Sequence, residues 1–221
     1  MLYIVSTPIG NLKDITLRAI EVLKGVDLIA AEDTRHTAIL CKEYGIMAPL
    51  TSYFDHNESG KARLLLQHLK DGRKVALVSD AGTPGINDPG YRLLSLAKAE
   101  GIPMEVIPGP CAVIAALSLS ALPSDRFAFY GFLPVKPGAR KNKLKFAAEC
   151  GGTAIFYESP HRLLRSLKAI EEALDNPVIS VVREITKKFE ERRDGKASEL
   201  FDHFTLHKPL GEFVILFHQD S

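Results

Sequence analysis

Short apolar runs alternate along the whole chain with segments whose hydrophobic residues recur every three or four positions. That alternation predicts parallel or mixed sheets covered by helices. Runs at residues 2–5, 27–31, 50–54, 74–79 and 104–107 predict five strands in the first half. The intervening helices carry readable punctuation. One has Asp88 as N-cap, Pro89 at its first position and Gly101 beyond its last turn; another opens at Asn57 or Ser59, turns Leu64, Leu65, Leu66 and Leu69 inward and ends at Gly72. A mostly apolar helix over 114–122 precedes Leu122-Pro123-Ser124-Asp125, a polar break where a lobe boundary is expected. The second lobe then offers strands at 127–131, 153–157, 178–183 and 212–217, with helices near 142–148, 161–174 and 197–207. The expected organisation is α/β with two lobes, 1–120 and 121–221.

Composition narrows the class. The 221 residues are enough to enclose a core, and 46% hydrophobic with 25% charged residues excludes disordered and fibrous chains. Lys plus Arg total 28 against 27 Asp plus Glu, a formal charge of +1, so any nucleic-acid partner must be met by a local patch. Cys41, Cys111 and Cys150 form no C-x-x-C pair, which points to a reducing compartment. The opening run Met1-Leu2-Tyr3-Ile4-Val5 is too short for a signal or membrane segment, so a cytoplasmic protein without a membrane partner is expected. Neither the dinucleotide-binding nor the P-loop glycine pattern occurs. His203 and His207 have metal-pair spacing but read as the surface of an amphipathic helix end, and no metal site is expected.

The unusual residues gather in loops after strands, where α/β sheets bind ligands. Ser6-Thr7-Pro8-Ile9-Gly10-Asn11-Leu12 follows the first, and Glu32-Asp33-Thr34-Arg35 puts two carboxylates, a hydroxyl and a guanidinium at the end of the second. Read alone, that tetrad is as well explained by a structural ion cluster as by a site. Residues 79–90 hold three glycines and two prolines, exposing main chain to close approach. Pro108-Gly109-Pro110-Cys111-Ala112 opens a helix with small residues, and Tyr157-Glu158-Ser159-Pro160-His161-Arg162 and Arg183-Glu184-Ile185-Thr186-Lys187 mark the second lobe.

Taken in order with Asp88-Pro89-Gly90 and Gly131-Phe132-Leu133-Pro134, these motifs closely resemble the bacterial small-subunit ribosomal RNA cytidine 2′-O-ribose methyltransferases, within the tetrapyrrole methylase superfamily. The resemblance covers nearly the whole chain. It implies S-adenosylmethionine held in a cleft between two α/β lobes, a homodimer, and small-subunit ribosomal RNA, free or assembled, as substrate. It further implies a donor site around Pro8, Asp80, Gly82, Thr83, Pro84, Ile86, Pro108, Cys111, Ala112, Tyr157 and Gly211. Ser120-Ala121-Leu122 stands where the family has Ser-Gly-Leu, and the C-terminal extension of some members has no counterpart before Ser221.

Methylating a ribose hydroxyl requires alignment, exclusion of water and removal of a proton from a weak acid. In the matching motifs Lys187 is the candidate base or alkoxide stabiliser, Glu158, Glu184 and Asp33 are acceptors, and Arg35, His161 and Arg162 contact phosphate or hydroxyl. RNA needs its patch. No acidic residue lies between Arg126 and Ala148, so Lys136, Arg140, Lys141, Lys143 and Lys145 are read as a mobile basic loop, with Arg140, Lys141 and Lys143 as RNA contacts. Two other readings stay open: a methylase of the same superfamily acting on a tetrapyrrole or other small substrate, and a divalent-metal phosphoesterase built on Glu32, Asp33, Asp80 and Asp88.

Overall fold

The computed structural model describes residues 1–54 and 56–219. The chain divides into two units, Met1–Cys111 and Ala112–Ser221.

In the first unit the apolar runs become strands β1 (Leu2–Val5), β2 (Leu28–Ala31), β3 (Leu50–Ser52), β4 (Val75–Val78) and β5 (Met104–Ile107), all paired in parallel in the order β3-β2-β4-β1-β5. Strands covered on both faces read as continuous apolar runs, and all four residues of β4 are buried. Helices α1 (Leu17–Gly25) and α2 (Thr34–Tyr44) close one face over Val5, Ile29, Ala31 and Ile107. Helices α3 (Glu58–Lys70) and α4 (Tyr91–Ala99) close the other over Leu2, Ala30, Val75 and Leu77. The connection leaving β1 therefore crosses one face to β2, and that leaving β4 crosses the opposite face to β5. Because β1 and β4 are neighbours whose connections leave for opposite faces, the carboxyl end of the sheet between them is a topological switch point, the usual place of a ligand crevice.

The start of α4 differs from the sequence reading. Asp88 is not the N-cap and Pro89 is not helical; the helix begins at Tyr91 after Gly90. The cap comes from elsewhere. Glu58 Oε1 accepts from the Gly90 and Arg92 amides at 3.2 and 3.3 Å and from the buried Tyr53 hydroxyl at 2.9 Å, while that hydroxyl accepts from Leu93 N–H at 3.2 Å.

The second unit runs α5 (Ala112–Ser120), β6 (Phe127–Phe132), α6 (Pro137–Glu149), β7 (Gly152–Glu158), α7 (Leu163–Ala173), β8 (Val178–Arg183), β9 (Glu191–Lys196), α8 (Ala197–Leu206) and β10 (Phe213–Gln219). Its sheet, β6-β7-β10-β8-β9, is mixed: β6 and β7 are parallel and the other pairs antiparallel. Helices α6, α7 and α8 share one core with Phe156, Val181, Phe213, Ile215 and Phe217. Helix α5 packs on β8, β9 and β10, which is why it counts with this unit and the division falls at Cys111/Ala112, ahead of the polar break at 122–125. The segment expected to be a mobile basic loop is instead the start of α6, whose fixed-φ Pro137 suits a first helical turn. Strand β9 was not foreseen: Glu191-Arg192-Arg193-Asp194-Gly195-Lys196 has no apolar face, and charge of this kind guards a sheet edge.

Candidate active site

The expected site residues gather in two loop clusters, one in each unit. In the first, the loops after β1 and β4 are stitched together at the switch point. Thr7 N–H donates to Gly82 O at 2.8 Å and Gly82 N–H returns to Thr7 O at 3.0 Å. Thr7 Oγ1 donates to Ser79 O at 3.0 Å, and the Ser6 and Thr83 hydroxyls lie 2.9 Å apart. Gly82 takes φ 85°, and a Cβ there would sit 3.4 Å from Ile9 Cγ2, so the bridge favours glycine. Pro8, Asp80, Gly82, Thr83, Pro84 and Ile86 lie on these two loops, and Pro108 and Cys111 on the segment after β5, so eight of the expected donor residues share one end of the first sheet. Ile86 keeps 43% of its surface, an apolar side chain presented beside main-chain polar groups. Ala112, Tyr157 and Gly211 belong to the second unit.

Beside this crevice, acidic side chains brace the loop after β2 to that after β4. Asp33 N–H donates to Asp80 Oδ1 at 2.9 Å, and Asp80 N–H to Glu32 Oε2 at 3.3 Å. Asp33 also caps α2, accepting from Arg35 N–H at 2.8 Å. Its carboxylate pairs with the guanidinium, Nη2 to Oδ2 at 2.6 Å, while 90% of the Arg35 side chain remains exposed. The side-chain hydrogen bond from Arg35, then its backbone amide, hold Asp33 well below the usual carboxylate range. Asp33 is thus held as an anion by Arg35. Among the described residues no group of three His, Cys, Asp or Glu side chains is arranged to hold a metal ion.

The second cluster forms where the carboxyl ends of β7 and β8 flank the amino end of β10, with Phe213 paired to both Glu158 and Arg183. Glu184 and Thr186 follow with φ 50° and 66°, a conformation that is costly for a β-branched threonine. This turn delivers Lys187 Nζ to Glu184 Oε1 at 2.9 Å and Glu212 Oε2 at 2.7 Å. Glu212 N–H also donates to Glu184 Oε1 at 3.0 Å. Gly211, φ 85°, makes room, since a Cβ there would fall 2.3 Å from Glu184 Cδ. Burial opposes the charge on Lys187, but the hydrogen bonds it donates to Glu212 and Glu184 outweigh it and raise the ammonium pKa. Burial likewise works against Glu184 ionising, and the Lys187 bond reverses it, leaving the carboxyl lowered. Lys187 is therefore held as a cation between two carboxylates, an arrangement that suits steadying an alkoxide better than taking a proton.

Other expected site residues turn inward. Glu158 is buried and accepts from Ser159 N–H at 2.8 Å and from the Ser166 hydroxyl, with Arg162 Nε at 3.3 Å, so it pins the β7–α7 turn instead of facing a substrate. Arg162 also donates to Leu133 O. Arg140 is only 5% exposed, its guanidinium donating to the Pro134, Val135 and Arg165 carbonyls, so it is a main-chain clamp rather than an RNA contact. Lys143 Nζ lies over the Tyr130 ring, 4.7 Å from its centroid. Lys141 and His161 are exposed. Glu212, the second partner of Lys187, is not among the residues that the sequence singles out as catalytic.

Comparison with known proteins points to one family. Residues 1–200 match the family model for Tetrapyrrole (Corrin/Porphyrin) Methylases. The chain belongs to this family. Among curated proteins, the Escherichia coli O157:H7 protein named Ribosomal RNA small subunit methyltransferase I is 54% identical over 200 residues, 90% of this chain and 70% of the relative. Its namesake in Vibrio cholerae is 48% identical over 221 residues, 99% of this chain and 77% of the relative. The crystal structure of a cobalamin biosynthetic enzyme, cobalt precorrin-4 methyltransferase, superposes with a TM-score of 0.72 at 19% identity, covering 97% of this chain and 93% of that one, a likeness of fold. This methylase is a methyltransferase, and its methyl donor is S-adenosylmethionine. The first cluster fits that donor. Its close-packed main chain, paired hydroxyls, exposed Ile86 and neighbouring Asp80 offer hydrogen-bond partners, an apolar surface and negative charge to a polar cation.

Proposed function

We propose that this methylase transfers the methyl group of S-adenosylmethionine to the ribose 2′-hydroxyl of a cytidine in small-subunit ribosomal RNA. The observation that carries the reading is identity of about half, over nearly the whole chain, with relatives named for the small ribosomal subunit. The held Lys187 cation supplies chemistry suited to it. Residues Pro8, Gly82, Thr83, Ile86, Pro108 and Cys111 hold the donor through the loops at the carboxyl end of the first sheet. The donor, when bound, offers an electrophilic methyl on a sulfonium. Lys187 steadies the substrate oxygen as it becomes an alkoxide, a charge the ammonium meets without reorganising. Glu184, 19% exposed, positions Lys187; Glu212, 78% exposed, is the carboxylate a substrate hydroxyl reaches and takes its proton. The oxygen–methyl bond forms as the methyl–sulfur bond breaks, and the proton leaves on the carboxylate. A cytoplasmic homodimer goes with this reading.

The test is transfer of labelled methyl from the donor to unmodified small subunits and to naked ribosomal RNA, with the label then mapped. Label on a cytidine 2′-oxygen is expected; label on a base, or on an added tetrapyrrole in preference to RNA, overturns the reading. Lys187→Met is expected to slow transfer by roughly two orders of magnitude while calorimetry still registers the donor. Unchanged turnover removes Lys187 from the mechanism.

A further inference from the structure

A groove of about 580 Å³ lies between the first turn of α6, one side of α7, and α8. Lys141, Arg165 and Lys168 stand along it, all exposed, with Leu164 and Phe201 as an apolar floor. Arg140 lies beneath, tied to three carbonyls but still charged, and Glu172 is the carboxylate in the lining. Four cations in the lining face Glu172, with Glu171 and Asp202 beside Lys168, a local excess of positive charge in a chain whose total is +1. The first turn of α6 holds no acidic side chain, so its partial positive charge adds to the field. Lys168 is pre-set by Glu171 at 3.0 Å and sits 6.0 Å from the Phe201 ring centroid.

Position adds a second argument. Helices α6 and α7 follow the parallel strands β6 and β7, so both start at the end of the sheet that carries Glu184 and Lys187. Arg165 and Lys168, three residues apart, are neighbours on one helix face. We propose that this groove binds the sugar–phosphate backbone of the ribosomal RNA substrate, with Lys141, Arg165 and Lys168 on phosphates and Phe201 against a base or sugar. The inference rests on the reading of the substrate as RNA. Backbone contacts of this kind set register and are sequence-independent, leaving the choice of nucleotide to other surfaces.

The experiment is fluorescence anisotropy with a labelled single-stranded RNA of about twelve nucleotides, titrated across KCl concentrations. In the Lys141→Ala, Arg165→Ala, Lys168→Ala triple variant, affinity near 0.1 M KCl is expected to fall about tenfold or more, and the salt slope by about 2 to 3. Donor binding and melting temperature should stay at wild-type values. Arg165→Glu alone, which keeps the other two side chains, should weaken binding in the same direction, and Lys145→Ala, outside the groove, should not. Unchanged affinity and slope in both groove variants overturn the proposal. If the wild type methylates ribosomal RNA while the groove variants bind the probe normally, the groove fails alone. If it methylates no ribosomal RNA, the substrate reading fails, and the anisotropy still decides whether the groove holds RNA.

Discussion

Gly211 shows how much a single residue can carry in the second cluster. Its φ of 85° disfavours any L side chain, and an added methyl would land 2.3 Å from the Glu184 carboxyl carbon. Gly211→Ala should therefore cost about 2 kcal/mol in chemical denaturation and lower methyl transfer further by displacing Glu184 from Lys187. Ala121 is the converse case. It occupies φ 55° just after α5, at the position where the family resemblance has glycine, so Ala121→Gly should stabilise the fold by about 0.5–1 kcal/mol, read as a higher midpoint. Arg140 and Lys141 are adjacent yet opposite in role. Arg140→Ala strips three carbonyls of a charged donor and should cost about 2–3 kcal/mol of stability with little effect on salt-dependent RNA binding. At this scale the sequence is least readable. Glu158, Arg140 and Arg162 have the same chemistry whether they face a ligand or a buried turn, and only packing tells which.

Elements were readable where burial dictates their pattern. The runs of β1, β5 and β8 coincide with their predicted spans, because short runs rich in apolar and β-branched residues between turn signals mark strands. Strand β9, polar at every position except a glycine, left none, being held by its ladder to β8 and by ion pairs such as Arg183 to Glu191 at 2.8 Å. The start of α4 was misread for a different reason: its cap is not local. Local rules favour Asp88-Pro89, whereas Glu58 and Tyr53 reach across from another segment. Glu58→Ala should accordingly remove about 2 kcal/mol, since it uncaps α4 and leaves the Tyr53 hydroxyl without its acceptor. If the cap were local, the loss would be a few tenths of a kcal/mol, as for an ordinary surface change.

For the molecule as a whole, near-neutral net charge conceals charges fixed in place, and their response to pH follows from the direction of each shift. Folding lowers the Glu184 carboxyl below its ordinary 4.5, so its contribution to stability is present above that value and is lost as pH falls through the lower folded value. Folding raises Lys187 above 10.5, so its contribution is complete below 10.5 and is lost as pH rises through the folded value. The stability that these two groups confer should then be level between about pH 5 and pH 10 and shrink on both sides. Comparing wild type with a Glu184→Gln, Lys187→Met double variant by urea unfolding across that range checks it: the gap between the two should be constant in the middle and close at the extremes. A gap that instead widens as pH rises from about 7 to 9 would mean a lysine that loses its proton near neutrality, because the unfolded lysine keeps its proton to 10.5. Lys187 would then regain the role of base, and its two carboxylate partners would not govern its charge. The loops that hold these groups were visible in the sequence because they follow strands; the sign of the field inside them required their partners to be in place.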